Sequence, residues 1–286
     1  MKTIIWLASY PKSGNTWFRA FLSNLLSDAD EPVHINALGT GAIASARQLF
    51  DEVVGVDAAD LTYDEIDALR PAVYRKWAEG HDEVGFHKIH DAYIRLDDHQ
   101  PLIPADATRG AIYFVRNPLD IAVSYAHHSN QDVDTVIGWM SDERHCFASG
   151  GNRLHGQLRQ QMLTWSGHVT SWVDQEEFPV HVVRYEDMCQ CPETTFTAAA
   201  QFAEVPHDSG AVAKALAFAD FRELQRQEVA DGFQEKSPSA ASFFRKGEVG
   251  SWRAELSDAE AERLVSDHGD VMERLGYLDA AGRPRY

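Results

Sequence analysis

The chain has 286 residues, 44% of them hydrophobic, enough for one large core or a core with a helical lobe. With 26 basic against 44 acidic residues the formal net charge is −18, which excludes nucleic-acid binding through a general basic surface and leaves any anion site to a local cluster of cations. Three cysteines, Cys146, Cys189 and Cys191, are too few and too odd in number for a secreted disulfide scaffold; they point to a reducing compartment, and no His/Cys set at metal-ligand spacing joins them.

The first apolar run, residues 3–9, reads as a buried strand. It breaks at Ser9, Tyr10, Pro11 and Lys12, too soon for a signal peptide or a bilayer span, so a soluble, cytoplasmic protein without membrane insertion is expected. The loop "SYPKSGNTW" follows, then a helical pattern from Phe18. Residues 28–60 carry little pattern. Further strands are expected at 84–89, 111–116 and 180–185. The third runs into Asn117, Pro118 and a helix bearing Ser124. Residues 126–157, rich in His, Asn, Gly and Ser, form a second irregular segment. Leu158, Met162, Trp165, Val169 and Trp172, spaced 4, 3, 4, 3, read as one face of a core helix. A last helix opens at Ser257 with acidic residues in its first turn, runs to about Leu275 and stops at Gly276. Strands alternating with helices predict an α/β fold with a central parallel sheet covered on both faces. No repeat or linker divides it, so a single domain over 1–286 is expected.

Cations recur where the strands end. After the first come Lys12, Ser13 and Thr16; at the second stand Lys88 and His90, in "FHKIHD"; the third ends in Arg116, the fourth in Arg184 and Tyr185. Ligands of an open parallel sheet bind outside the carboxyl ends of its strands. The loop itself suits an anion: Gly14 permits close backbone approach, the amides opening the next helix point outward with the positive end of its dipole, and Thr16 offers a hydroxyl. It is not a Walker loop. Asn15 stands where that motif has its lysine, Lys12 lies four residues before Thr16, and no acidic residue is placed at a strand end for magnesium. Far downstream, "FFRKGEVGSW" combines Phe243, Phe244, Arg245, Lys246, Gly247 and Gly250 as a flexible clamp, with Arg245 a fork for phosphate and Lys246 a point charge.

Together these segments resemble the sulfotransferases that use 3'-phosphoadenosine 5'-phosphosulfate (PAPS). "YPKSGNTW" is similar to that family's 5'-phosphosulfate loop, "VRNPLDIAVSY" (115–125) to its 3'-phosphate motif, "FFRKGEVGSW" to its C-terminal clamp and "RYEDM" to the segment after its fourth strand, in the family order from residue 4 to 252. The resemblance implies a P-loop-like sulfotransferase fold that takes PAPS as donor, leaves 3'-phosphoadenosine 5'-phosphate (PAP) and requires no metal. It implies that Lys12 meets the transferring sulfuryl group, that Ser13, Gly14, Asn15 and Thr16 hold the 5'-phosphate and that Trp17 packs on the adenine. Arg116 and Ser124, with Arg245, Lys246 and Gly247, would bind the 3'-phosphate, and Tyr185 and Phe221 would contact the adenine side. The PAPS-binding core would then comprise residues 3–27, 84–125, 180–187 and 243–252.

In the cytosolic members a Lys-x-His follows the second strand, which places Lys88 and His90 in the catalytic group. An acceptor hydroxyl must lose its proton as it attacks sulfur, and a neutral imidazole suits that step. His87 faces the opposite way from Lys88 by strand alternation, and Asp91, beside His90, keeps a carboxylate base open. Asn15 replaces the loop's common Thr, Ser251 replaces the usual Asp before Trp252, and the animal-type dimerisation signature is not evident in "RAELSDAEAE". Compact length and unlike loops look more like a bacterial tailoring member. The acceptor would be a hydroxyl of a small molecule or glycoconjugate, reached by segments 28–60, 126–157 and 231–241, where His127, His128, Trp139 and Phe233 are candidates. A P-loop kinase-like phosphotransferase and a non-catalytic PAPS- or PAP-binding module are the alternatives; the displaced lysine argues against the first, and Lys12, Lys88 and His90 together against the second.

Overall fold

A computed structural model describes residues 2–79, 83–150 and 155–286. A four-stranded parallel sheet in the order β2-β1-β3-β6, flanked by helices, organises the chain. Its strands are β1 (Ile4–Ser9), β2 (Gly85–Ile89), β3 (Thr108–Val115) and β6 (Val180–Arg184), each within a few residues of its expected place. β1 and most of β3 are buried on both faces, as continuous apolar runs in a parallel sheet must be. β1 pairs with β2 in register from Ile4 opposite Gly85 to Ala8 opposite Ile89.

The chain divides into two compact units. The first comprises Met1–Tyr10, Gly41–Tyr113 and Asp142–Val182; the second Pro11–Thr40, Phe114–Ser141 and Val183–Tyr286.

In the first unit lie α2 (Arg47–Val54) and α3 (Tyr63–Glu79), short strands β4 (Cys146–Phe147) and β5 (Gln160–Gln161) paired antiparallel, and α6 (Trp165–Val173). Trp6 of β1 packs edge-on against Tyr74 of α3, with ring centroids 5.1 Å apart, and its indole donates to Thr108. The segment after Gly41 covers the outer edge of β2: Gly41 N donates to Phe86 O and Ala44 N to Lys88 O, each at 2.8 Å. A Cβ on Gly41 would fall 2.5 Å from the His87 ring, so only glycine fits that edge. Residues 28–60 are thus less irregular than their composition suggests.

The expected helical face from Leu158 to Trp172 needs correction. All five residues are buried, but α6 begins only at Trp165. Leu163 adopts φ 55, Thr164 caps α6 by accepting from Gly167 N, and Leu158 and Met162 reach the core from either side of β5. Apolar spacing reports burial here, and the turn residues decide where the helix starts.

The second unit holds α1 (Asn15–Leu25), α4 (Pro118–Ser129), α5 (Val133–Met140), α7 (Tyr185–Gln190), α8 (Pro192–Phe202), α9 (Ser209–Phe218), α10 (Phe221–Asp231) and α11 (Asp258–Arg274). Phe18 and Phe21 of α1 pack on Phe196 of α8, and Phe18 also on Phe114. α11 follows its sequence reading closely: Ser257 and Glu260 form a reciprocal capping box, and Gly276 adopts φ 74 just beyond the end. Among the described residues no helix is long and apolar enough to cross a membrane.

Candidate functional site

β1 delivers the chain into the loop 11–14, whose backbone is unusual for its composition. Lys12 and Gly14 both sit in the left-handed region, at φ 69 and 95. A backbone curled in this way presents successive N–H groups to one side, the nest geometry suited to anions. Gly14 caps α1 without any side-chain hydrogen bond, so no cap side chain competes with an anion at the positive end of the helix dipole. Ser13 is 1% exposed and its hydroxyl has no hydrogen-bond partner. A buried hydroxyl left that way costs about 1–3 kcal/mol, a cost an incoming oxyanion would relieve. Gly14 is required twice over: its φ is left-handed, and a Cβ there would lie 2.7 Å from the Tyr185 ring.

Arg116, at the end of β3, ties this loop to the clamp. It is 7% exposed; Nη1 donates to Lys12 O at 3.3 Å, Nη2 donates to Glu248 O at 2.9 Å, and the guanidinium lies 4.3 Å from the Tyr185 ring centroid. Its Nε has no partner. Tyr185 also meets Trp17 edge-on at 6.1 Å, and Trp17 packs on Phe196 with its indole N–H unpaired. Ser124 is half-buried on α4, eight residues beyond Arg116. The Lys12 ammonium sits 4.0 Å from the centroid of Phe243. In the clamp, Gly247 adopts φ 65 against the Phe221 ring, where a Cβ would come within 2.6 Å. The loop, Arg116, Tyr185, Phe221 and the clamp, widely spaced in sequence, are therefore linked by direct contacts within the second unit.

The cations of the clamp are engaged. Arg245 and Lys246 donate to Glu255 at 2.9 and 2.7 Å, and His127 pairs with the same carboxylate at 2.8 Å. Burial works against the charge on Glu255, but Lys246, His127 and Arg245 overcome it and hold the carboxyl at about 2. Of the suggested acceptor residues, His127 is thus paired, Phe233 is buried against Phe243 and Phe244, Trp139 packs on Tyr125 and His128 meets Phe243 edge-on. Residues 151–154 of the second variable segment lie outside the described residues.

Lys88 and His90 belong to the first unit. His90 Nδ1 is 2.8 Å from Ser9 O, and a carbonyl can only accept, so Nδ1 carries the proton and Nε2 is the basic nitrogen of the neutral ring. The His90 carbonyl accepts from His168 Nε2 at 3.0 Å, while Tyr113 OH donates to His168 Nδ1 at 2.8 Å. Burial pushes His168 down to about 4 against that hydrogen bond, so it stays neutral. His87 stacks on Trp77 at 4.9 Å, opposite in facing to Lys88 as alternation requires. Asp91 has other work. It is fully buried, takes two hydrogen bonds from Arg70 at 2.9 and 2.5 Å and a third from Gln161 N, and its carbonyl accepts from Trp172. Burial pushes the Asp91 carboxyl up while Arg70 opposes that shift, as expected of a carboxylate held in a buried ion pair.

Four acidic residues have structural roles that sequence reasoning did not assign. Asp120 accepts from Gly250 N, Ser251 Oγ and Trp252 N and stands 3.8 Å from Arg116, pinning the clamp to α4. Its signal was its place one helical turn after Arg116, and Ser251, where the family has Asp, is the donor that meets it. Glu186 of the "RYEDM" segment is buried, accepts from Asn117 N and Tyr277 OH, and so fixes the start of α4. The pairing of Asp91 with Arg70, 21 residues away, and of Glu255 with His127, 128 residues away, left no signal in any one segment.

The sequence matches the family described as sulfotransferase domain over residues 2–276. Cytosolic sulfotransferase 13 of Arabidopsis thaliana is 25% identical over 270 residues, covering 90% of this chain and 73% of that one. Sulfotransferase 1B1 of Canis lupus familiaris is 24% identical over 269 residues, covering 90% and 79%. In fold, the chain is similar to mouse sulfotransferase SULT7A1 complexed with PAP (TM-score 0.61, 17% identity, 99% of this chain and 87% of that one). It is similar also to retinol dehydratase in complex with androsterone and inactive cofactor PAP (TM-score 0.63, 16% identity, 95% and 81%). With a family match across nearly its whole length, on a fold shared with PAP-binding enzymes, this chain belongs to the sulfotransferase family.

Proposed function

We propose that the protein, acting as a single catalytic domain, transfers a sulfuryl group from PAPS to a hydroxyl of a small-molecule or glycoconjugate acceptor. The donor's phosphosulfate anhydride supplies the activated sulfur. The observation that carries the reading is the unfilled hydrogen-bonding capacity of the second unit. The buried Ser13 hydroxyl and Arg116 Nε have no partners, and the start of α1, which has no side-chain cap, follows Ser13 in the chain. These donors fit a nucleotide carrying phosphate at both 5' and 3' positions.

In this reading Ser13, Gly14, Asn15 and Thr16 hold the 5'-phosphate. Arg116 and Ser124, with Arg245, Lys246 and Gly247, hold the 3'-phosphate. Trp17, Tyr185 and Phe221 line the adenine. Lys12 and Lys88 neutralise charge growing on the leaving phosphate oxygen, which in a water-poor site is worth several kcal/mol. His90 takes the acceptor's proton at Nε2, an assignment supported by the Ser9 carbonyl that fixes its tautomer. Ser9 lies three residues before Lys12, so the group that orients the base and the loop that meets the donor are on one short stretch of chain.

The test is turnover of labelled PAPS against phenols, sugars, lipids and glycopeptides, read by mass spectrometry, with His90→Ala alongside. Transfer to a hydroxyl, reduced about 10²- to 10³-fold in the variant with PAP affinity within twofold of wild type, is expected. Equal loss of PAP affinity would make His90 structural. Tight PAP binding without transfer to any acceptor would favour the binding-module alternative.

A further inference from the structure

Glu255 has no role in that scheme, yet the clamp is built around it. Its Oε1 accepts from Arg245 at 2.9 Å and Lys246 at 2.7 Å; its Oε2 accepts from His127 at 2.8 Å and from Arg245 at 3.3 Å. Three cationic or ionisable donors around two oxygens is the setting a phosphate oxyanion would also take. The carboxylate is delivered by a firm turn. Glu255 N donates to Trp252 O at 3.0 Å, and Asp120 holds Gly250, Ser251 and Trp252 just before it.

We propose that Glu255 is an internal counter-ion that competes with the donor's 3'-phosphate for Arg245 and Lys246 and thereby sets donor affinity and selectivity. The inference rests on the donor reading above and adds to it a residue that opposes binding. A 3'-phosphate, close to doubly charged at neutral pH, can displace a singly charged carboxylate from the two cations. A nucleotide without that phosphate gains nothing from them, because they are already satisfied. Affinity for the donor at this end is then the difference between two charge-assisted contacts, not the full value of one. The margin over a nucleotide lacking the 3'-phosphate is reduced by the same amount, because only the 3'-phosphate has Glu255 to displace.

The experiment is calorimetric titration of PAP and of adenosine 5'-phosphate into wild type, Glu255→Gln and Glu255→Asp, with thermal melting of each to establish that it is folded. Gln keeps the shape and removes the charge. E255Q is expected to bind PAP about fivefold more tightly, on the scale of a partly exposed ion pair, with unchanged affinity for adenosine 5'-phosphate. E255D, which retains the charge, should stay within about twofold of wild type for both. Weaker or unchanged PAP binding by folded E255Q would overturn the proposal, showing that Glu255 orients the cations and does not compete for them. A wild type that binds neither nucleotide would bring down the donor reading itself, a result visible before any variant is compared.

Discussion

The loop at 11–17 and the clamp at 243–255 lie in one unit and carry the same kinds of group, but they are prepared for an anion in opposite ways. In the loop, Ser13 Oγ is a preformed donor buried without a partner, at the start of a helix that has no side-chain cap. In the clamp, Arg245 and Lys246 are both engaged by Glu255. The first arrangement stores unfavourable free energy in the empty protein and releases it on binding. The second stores none and makes binding an exchange. A count of cations treats the two ends as equals, whereas the identity of each cation's resting partner makes them different.

That contrast is open to attack at several points. The largest effect is expected at Lys12, on the preformed side: Lys12→Ala should lower turnover of labelled PAPS about a thousandfold, and activity within a few fold of wild type would remove it from the chemistry. Next comes a paired measurement of PAP affinity. Arg116→Ala strips a buried guanidinium from the loop, Tyr185 and Glu248 together, and should weaken binding about a hundredfold. Arg245→Ala removes a cation whose charge Glu255 already offsets and should cost only about tenfold. Equal losses would erase the distinction between the ends.

The smallest effect separates the clamp from the framework. Glu255, held at about 2, stays ionised well below the ordinary carboxylate range, so acidification to pH 5 should leave its contacts with Arg245 and Lys246 in place. His168 behaves differently. Burial holds it neutral in the fold, at about 4, while the unfolded chain takes up a proton below its ordinary value near 6.5. Protons therefore favour unfolding, and stability should fall as pH drops from about 6.5 toward 4, by roughly 2–3 kcal/mol in total. Denaturant melts at stepped pH, with His168→Gln flattening that stretch of the profile, would check it.

How much of this was readable beforehand depends on the range of the cause. The four strands, the loop, the capping box at Ser257 and the stop at Gly276 arise from local patterns and were found within a few residues. The motifs at Lys12, Arg116 and Arg245 were equally visible, since each is a short run with its own chemistry. The start of α6 was misplaced because Leu163 and Thr164 interrupt a periodicity that burial alone sustains. Asp91 reads as an alternative base because it adjoins His90; its burial against Arg70, 21 residues away, is a long-range pairing that no local pattern announces.

Periodicity and contiguous motifs were enough to specify the family and the parallel sheet, because both are written in short stretches of chain. Which polar groups are already engaged was set by folding: Arg70 with Asp91, Arg245 and Lys246 with Glu255, the clamp amides with Asp120. A charge's availability depends on what stands within about 3 Å of it in space, and neighbours at that range are set by folding and not by order along the chain.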